Sequence, residues 1–346
     1  MTPAGRMQAA IELLDQIIAA ARDGGASADV LIQRGFAARR YAGSKDRRAI
    51  RGLIYDAIRL CGERPESGRA ALLALATADP ALAATFDGSS YGPAPLAAGE
   101  PAAQAGIAPA WLIEALAASG IDTDQAAALL DRASLDLRVN TLRASVAQVQ
   151  AALPEALPVE GVDAALRLPS DTPVEKTQPY LDGWIEVQDA GSQTVTLAAG
   201  AAPGMHVADL CAGGGGEALA LAAAMGNKGV LLATDSDRPR LSRLLPRAER
   251  AGVSIVETRL LNPGRESEPL TDWADTADVV LIDAPCSGTG TWRRNPEARW
   301  RLTPARLAKL VETQARLLDV GAALVKPGGT LLHNVWPPLG GGGGGQ

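Results

Sequence analysis

Asp283 and Cys286 are the residues best placed to do chemistry. They close the stretch Val279-Val280-Leu281-Ile282-Asp283-Ala284-Pro285-Cys286-Ser287-Gly288-Thr289-Gly290, in which a short apolar run stops at an acid, a proline and a thiol. Four consecutive apolar residues bounded by a turn signal suit a strand buried on both faces of a parallel sheet. Both reactive side chains are then expected at the strand's carboxyl end, the edge where open α/β sheets bind and transform ligands. A thiol there can meet substrate.

A second stretch points to the same edge. Val207-Ala208-Asp209-Leu210-Cys211-Ala212-Gly213-Gly214-Gly215-Gly216-Glu217 precedes a helical run from Ala218 to Met225. Strand, glycine loop and helix together bring backbone close to a ligand, because glycine accepts positive φ and puts no side chain in the way. Some twenty residues on, Val230-Leu231-Leu232-Ala233-Thr234-Asp235 is another strand ending in an acid, placed to accept from a ribose hydroxyl pair. This spacing alone suits a nicotinamide dehydrogenase as well as an S-adenosylmethionine enzyme. A dehydrogenase gives no reason for the Pro-Cys loop.

The elements that must carry these residues belong to a sizeable chain. Its 346 residues allow two or three domains. Apolar residues make up 47% and aromatics only 3%, as in a helix-rich globular protein. No apolar run approaches the roughly 20 residues needed to span a bilayer, and the N-terminus lacks a signal peptide's pattern, so a cytoplasmic protein without membrane contact is expected. Cys61, Cys211 and Cys286 are odd in number and far apart, which argues against a disulfide framework. With two histidines, no metal site is expected. The net charge of −6 gives no general attraction to nucleic acid, so any such affinity must come from local patches.

In chain order, Thr2-Pro3 reads as a helix cap, and Ala10, Ile11, Leu13, Leu14, Ile17, Ile18 and Ala21 make an amphipathic helix ending at Gly24-Gly25. A second helical stretch at about 27 to 40 leads into Arg34, Arg39, Arg40, Lys45, Arg47, Arg48 and Arg51, opposed only by Asp46. That patch is either a solvated helix face or a phosphate-contacting surface. The division expected is a helical domain over 1–85, a linker with short helices over 86–134, a small α/β connector over 135–190 and the main α/β domain over 191–346.

At Asp283-Ala284-Pro285-Cys286-Ser287-Gly288-Thr289-Gly290 the chain resembles the Sun-type, RsmB-like family of RNA cytosine-5 methyltransferases. Asp209 to Glu217 resembles the family's Asp-x-Cys-Ala-x-x-Gly-Gly-Lys loop. Arg138-Val139-Asn140-Thr141-Leu142, Val187-Gln188-Asp189-Ala190-Gly191-Ser192-Gln193 and Arg293-Arg294-Asn295-Pro296-Glu297-Ala298-Arg299-Trp300 are also in register. The resemblance implies a Rossmann-like methyltransferase domain of sheet order 3-2-1-4-5, preceded by an all-α, NusB-like RNA-binding domain and the α/β connector. It implies S-adenosyl-L-methionine held by Cys211, Ala212, Gly213, Gly214, Gly215, Gly216 and Glu217, with Asp235 at the ribose, Asn262 near the adenine and Asp283 between cofactor and target base. Cys286 corresponds to the thiol that assists product release. Arg293, Arg294, Arg299, Arg301 and Arg306 correspond to an RNA phosphate-binding flank, with Trp292 and Trp300 either stacking on bases or packing in the core. The partner implied is ribosomal RNA, most simply 16S, met by a monomer.

Two departures bear on chemistry. Pro327-Gly328-Gly329-Thr330-Leu331-Leu332 matches the family's turn and fifth strand, but the Thr-Cys pair that carries the nucleophile is replaced, with Trp336 at the cysteine's place. No cysteine follows Cys286. Glu217 also stands where the family has the loop lysine, putting a carboxylate where the cofactor's own carboxylate is expected. The alternative to an active enzyme is therefore a catalytically inactive RNA-binding or cofactor-binding remnant. Beyond Trp336 the chain runs into Gly340 to Gly345 and Gln346, which leaves strand five as an expected sheet edge.

Overall fold

The structure, a computed structural model, describes residues 1–170 and 172–335. Trp336 and the polyglycine end lie outside the described residues. The chain forms two compact units, one comprising Met1–Arg132 with Ser287–Leu307 and the other Ala133–Cys286 with Ala308–Val335.

The first unit is built on four helices, α1 (Pro3–Asp23), α2 (Ala28–Ala38), α3 (Ser44–Leu60) and α4 (Gly68–Ala78). The Thr2 hydroxyl accepts from Gly5 N at 3.0 Å, Pro3 opens the first turn, and Gly24 at φ 80° closes α1 in the left-handed region. The apolar stripe of α1 meets Ile50, Ile54 and Ile58 of α3 and Leu72 of α4 in one core. Gly68 lets α4 start hard against α1, since a Cβ there would lie 2.3 Å from the Ile11 carbonyl oxygen. In the basic stretch, Arg39 pairs with Glu12, Arg47 donates to the Ala42 carbonyl and Arg51 pairs with Asp29. Arg34, Arg40, Lys45 and Arg48 are exposed.

The segment Ser287–Leu307 is stitched into this unit. Glu297 accepts from Ala28 N at 2.9 Å, satisfying an amide at the start of α2 where the cap residue Ser27 makes no side-chain bond. Arg299 is wholly buried, and its guanidinium donates to the carbonyls of Ile58 (2.6 Å), Cys61 (2.9 Å) and Arg59 (3.2 Å) at the end of α3, and to that of Pro296. The Trp300 indole N–H donates to the Cys61 carbonyl at 3.0 Å, and its ring joins the helical core. Arg301 donates to the Gly25 and Ala26 carbonyls between α1 and α2.

These positions correct the expected phosphate-binding flank. Arg299 has no face left for a phosphate, because last-turn carbonyls need donors and a buried fork of N–H groups supplies them. Trp292 and Trp300 are both buried, so neither presents a ring to an RNA base. Arg293 and Arg294 are exposed, and Arg301 is half-buried.

The second unit holds two sheets. The smaller is antiparallel, in the order β2-β3-β1-β4, with β1 Leu135–Val139, β2 Leu157–Pro158, β3 Ala165–Leu168 and β4 Ile185–Val187. The larger is parallel, with β5 His206–Asp209, β6 Val230–Asp235, β7 Val256–Leu260, β8 Ala277–Asp283 and β9 Val325–Asn334. Its order, β7-β6-β5-β8-β9, is the 3-2-1-4-5 expected. Apolar layers lie on both faces: Val207, Leu231, Val279 and Leu281 belong to one, and Ala208, Leu232, Val280 and Ile282 to the other. The sheets are tied by polar bonds. The Asn140 amide donates to the Gly183 and Ala251 carbonyls, each at 2.8 Å, and buried Glu186 accepts from Arg247 and Arg250.

The Arg299 cradle sets a prediction. Arg299→Ala leaves several buried carbonyls without donors and should lower unfolding stability by about 3 kcal/mol. Arg299→Lys should recover little of it, since one ammonium cannot reproduce the planar fork. Denaturant unfolding of the three proteins checks both outcomes.

Candidate active site

The carboxyl edge of the parallel sheet gathers most of the expected residues. Asp209 ends β5, Asp235 ends β6, Asp283 ends β8, and Asn262 stands exposed just past β7. The glycine loop is held from below. Ala212 N donates to the Thr234 carbonyl and Gly213 N to the Asp235 carboxylate, each at 2.8 Å. Gly213 and Gly215 lie at φ 53° and 86°, and a Cβ on Gly213 would stand 2.5 Å from an Arg240 guanidinium nitrogen. The loop then opens into the helix Gly216–Ala224, with Glu217 in its first turn. This shape fits a nucleotide-like cofactor: a side-chain-free backbone path, a helix start, and an acid on the neighbouring strand.

Asp235 shows why that acid is in place before any ligand. Its second oxygen accepts from Asp237 N at 2.7 Å, and Arg240 lies 3.8 Å from the oxygen that holds Gly213. The carboxylate therefore fixes the loop.

The electrostatics are dominated by acids. Asp209 is wholly buried, and neither of its oxygens has a hydrogen-bond partner among the described residues; the Cys211 backbone N–H points its way without reaching bonding geometry. Burial, with Glu217 and Asp283 nearby, pushes its carboxyl well above the ordinary range. Asp283 is raised to about 6, by burial first and by Glu217 second. Burial and the surrounding carboxylates also push the Cys211 thiol up, which disfavours its thiolate.

Two side chains that the sequence did not single out brace the loop carrying Cys286. The Asn334 amide, at the end of β9, donates to the Asp283 carboxylate at 2.8 Å. Gln314, on the helix Pro304–Leu324, donates to the Pro285 carbonyl at 2.8 Å. Cys286 is half-buried. On the connector side, buried Arg138 donates to Gln188 at 2.7 Å, and the Gln188 amide nitrogen lies 4.0 Å from a Cβ built on Gly216. Arg240, Gln314 and Asn334 carry no spacing signal; only the fold brings them to the site. Among the described residues no group of three or more His, Cys, Asp or Glu side chains could hold a metal ion, and no helix is long and apolar enough to cross a membrane.

Residues 197–335 match the family described as 16S rRNA methyltransferase RsmB/F. A probable ribosomal RNA small subunit methyltransferase B of Synechocystis is 37% identical over 209 residues, covering 58% of this chain and 46% of that protein. The ribosomal RNA small subunit methyltransferase B of Salmonella arizonae is 36% identical over 171 residues, covering 49% and 38%. The chain thus spans less than half the length of these curated relatives. The solved structure of PH0851 superposes with a TM-score of 0.71 at 25% identity, over 96% of this chain and 85% of that one.

Asp283 gives a pH prediction. Its folded value, about 6, lies above the roughly 3.9 of an unfolded Asp, so the group costs no stability below pH 4 and its cost grows as pH rises between the two values. The Asn334 bond favours the ionised form, so Asn334→Ala should move the Asp283 value further up and extend that window. Carboxyl carbon NMR titration reads the shift directly, and an unmoved resonance would contradict the assignment.

Proposed function

We propose that this chain is a Sun-type, RsmB/F-like methyltransferase, which transfers a methyl group from S-adenosylmethionine to carbon 5 of cytosine in small-subunit ribosomal RNA, in the cytoplasm. The observation that carries this reading is the placement of the Asp283-to-Cys286 loop at the same sheet edge as the glycine loop and Asp235. Cys211 to Glu217 would hold the cofactor's methionine end, Asp235 its ribose and Asn262 the adenine side. Arg293 and Arg294 are exposed and lie beside the loop in sequence, and we assign RNA phosphate contact to them.

The chemistry explains the need for a thiol. Carbon 5 of cytosine is a poor nucleophile until a thiolate adds to carbon 6 and turns the ring into an enamine. When bound, S-adenosylmethionine supplies an electrophilic methyl group to that carbon. Loss of the carbon 5 proton to a base then expels the thiolate and restores the aromatic ring. Asp283, raised to about 6 by burial, suits a group that holds the base and exchanges a proton. Cys286 is the thiol on the loop that follows Asp283. A second reading, binding without turnover, is favoured by one observation: Trp336 stands where the resemblance places the attacking cysteine.

Three measurements separate the readings. Calorimetry should detect S-adenosylmethionine or its demethylated product and no NAD; the reverse pattern would sink the methyltransferase reading. Glu217→Lys should tighten the methyl donor on the order of a hundredfold, since two like charges about 5 Å apart at an effective dielectric near 20 repel by roughly 3 kcal/mol before screening. An unchanged dissociation constant at low salt would mean that Glu217 points away from the ligand. RNA carrying 5-fluorocytosine traps productive attack as a covalent adduct, because fluorine cannot leave as a proton does. If the chain turns over, an adduct forms, and its loss in Cys286→Ser would show that Cys286 attacks on its own; no adduct would favour binding without turnover.

A further inference from the structure

We propose that Gln314 is a positioning residue for the Cys286 thiol, acting through its single hydrogen bond to the Pro285 carbonyl. The argument rests on the torsions available to the loop. At Pro285 the ring fixes φ, and the peptide joining Pro285 to Cys286 is planar, so ψ of Pro285 is the one soft backbone torsion at this residue. Rotation about it swings the Pro285 carbonyl and, through the rigid peptide plane, the Cys286 nitrogen and Cα. The 2.8 Å bond from Gln314 holds that carbonyl and so holds ψ.

The holder is itself fixed. Gln314 is 9% exposed, on the same helix as buried Leu317, Val320, Gly321 and Leu324. That helix lies close on β8, since a Cβ on Gly321 would stand 2.7 Å from the Ile282 side chain. Residues 284–286 belong to no helix or strand, so no ladder of backbone bonds does this work for them. At the other end of the loop the Asn334 bond anchors Asp283. With both amides in place, the Cys286 nitrogen and Cα that carry the thiol are held. The proposal deepens the methyl-transfer reading, on which the purpose of the thiol rests, while the geometry stands without it.

The three cysteines make the test internal to the protein. Burial pushes the Cys61 thiol up to about 11 in the helical unit, and Cys211 is pushed up in the glycine loop, whereas Cys286 is half-buried on the braced loop. Iodoacetamide alkylation of the full chain, followed peptide by peptide, gives a rate for each. Gln314→Met keeps the length of the side chain and removes the donor. It should raise the Cys286 rate about fivefold, the population released by losing one ordinary hydrogen bond, with Cys211 and Cys61 unchanged. Gln314→Glu, which cannot donate when ionised, should do the same. An unaltered Cys286 rate would overturn the proposal, and so would three rates rising together, which would report general loosening. Calorimetry with S-adenosylmethionine on the parent chain keeps the two ideas apart: failure to bind counts against the methyltransferase reading alone, and the alkylation rates decide the role of Gln314.

Discussion

The parallel pairing of β8 between β5 and β9 is the constraint on which the site depends. Val279 stands opposite Val207 on one side and Thr330 on the other, and Asp283 opposite Asn334. A one-residue slip would turn every side chain of β8 to the opposite face, exchanging the two apolar layers and swinging Asp283 away from Asn334. Because both neighbours run parallel to β8, their ends and the loops that follow reach the same edge. The register therefore does two jobs with one set of hydrogen bonds: it closes the core and it assembles the acids.

Those acids sit uneasily together, and the surroundings show how they are tolerated. Asp235 is bound by two backbone amides and approached by Arg240, so its charge is compensated. Asp283 has the Asn334 amide. Asp209 has no bonding partner among the described residues and is pushed toward its neutral form. A folded core does not gain stability from a group held in this state. The raised carboxyls of Asp209 and Asp283 are more readily understood as the cost of a site than as part of the scaffold.

Much of this was legible from the chain. Buried parallel strands read as short apolar runs, and the glycine loop followed by Asp235 marks the first two of them, so the sheet order followed from the resemblance those motifs carry. The stretch from Arg293 to Trp300 shows what was not legible. Its cations read as a phosphate-binding flank because a motif is local, whereas the carbonyls that receive Arg299 belong to residues about 240 positions away. A buried arginine declares itself only once its acceptors are known. Gln314 and Asn334 are silent for the same reason: an amide in a helix or at a strand end carries no periodic signal, and its meaning comes from the oxygen it reaches.

The attachment of Ser287–Leu307 to the helical unit has a consequence for how the protein is made. Glu297 closes the start of α2 across 269 residues of sequence, and the donors for the end of α3 come from the same late segment. A ribosome adding about 5–20 residues per second takes roughly 13 to 54 s between delivering the start of α2 and delivering Glu297. During that interval the helices can gather their own apolar core, while the amide and carbonyls that the late segment will satisfy face water. The newborn N-terminal helices are thus a core awaiting its clasp, and the last turn of α3 is where a nascent chain of this protein should be most open to proteases and chaperones.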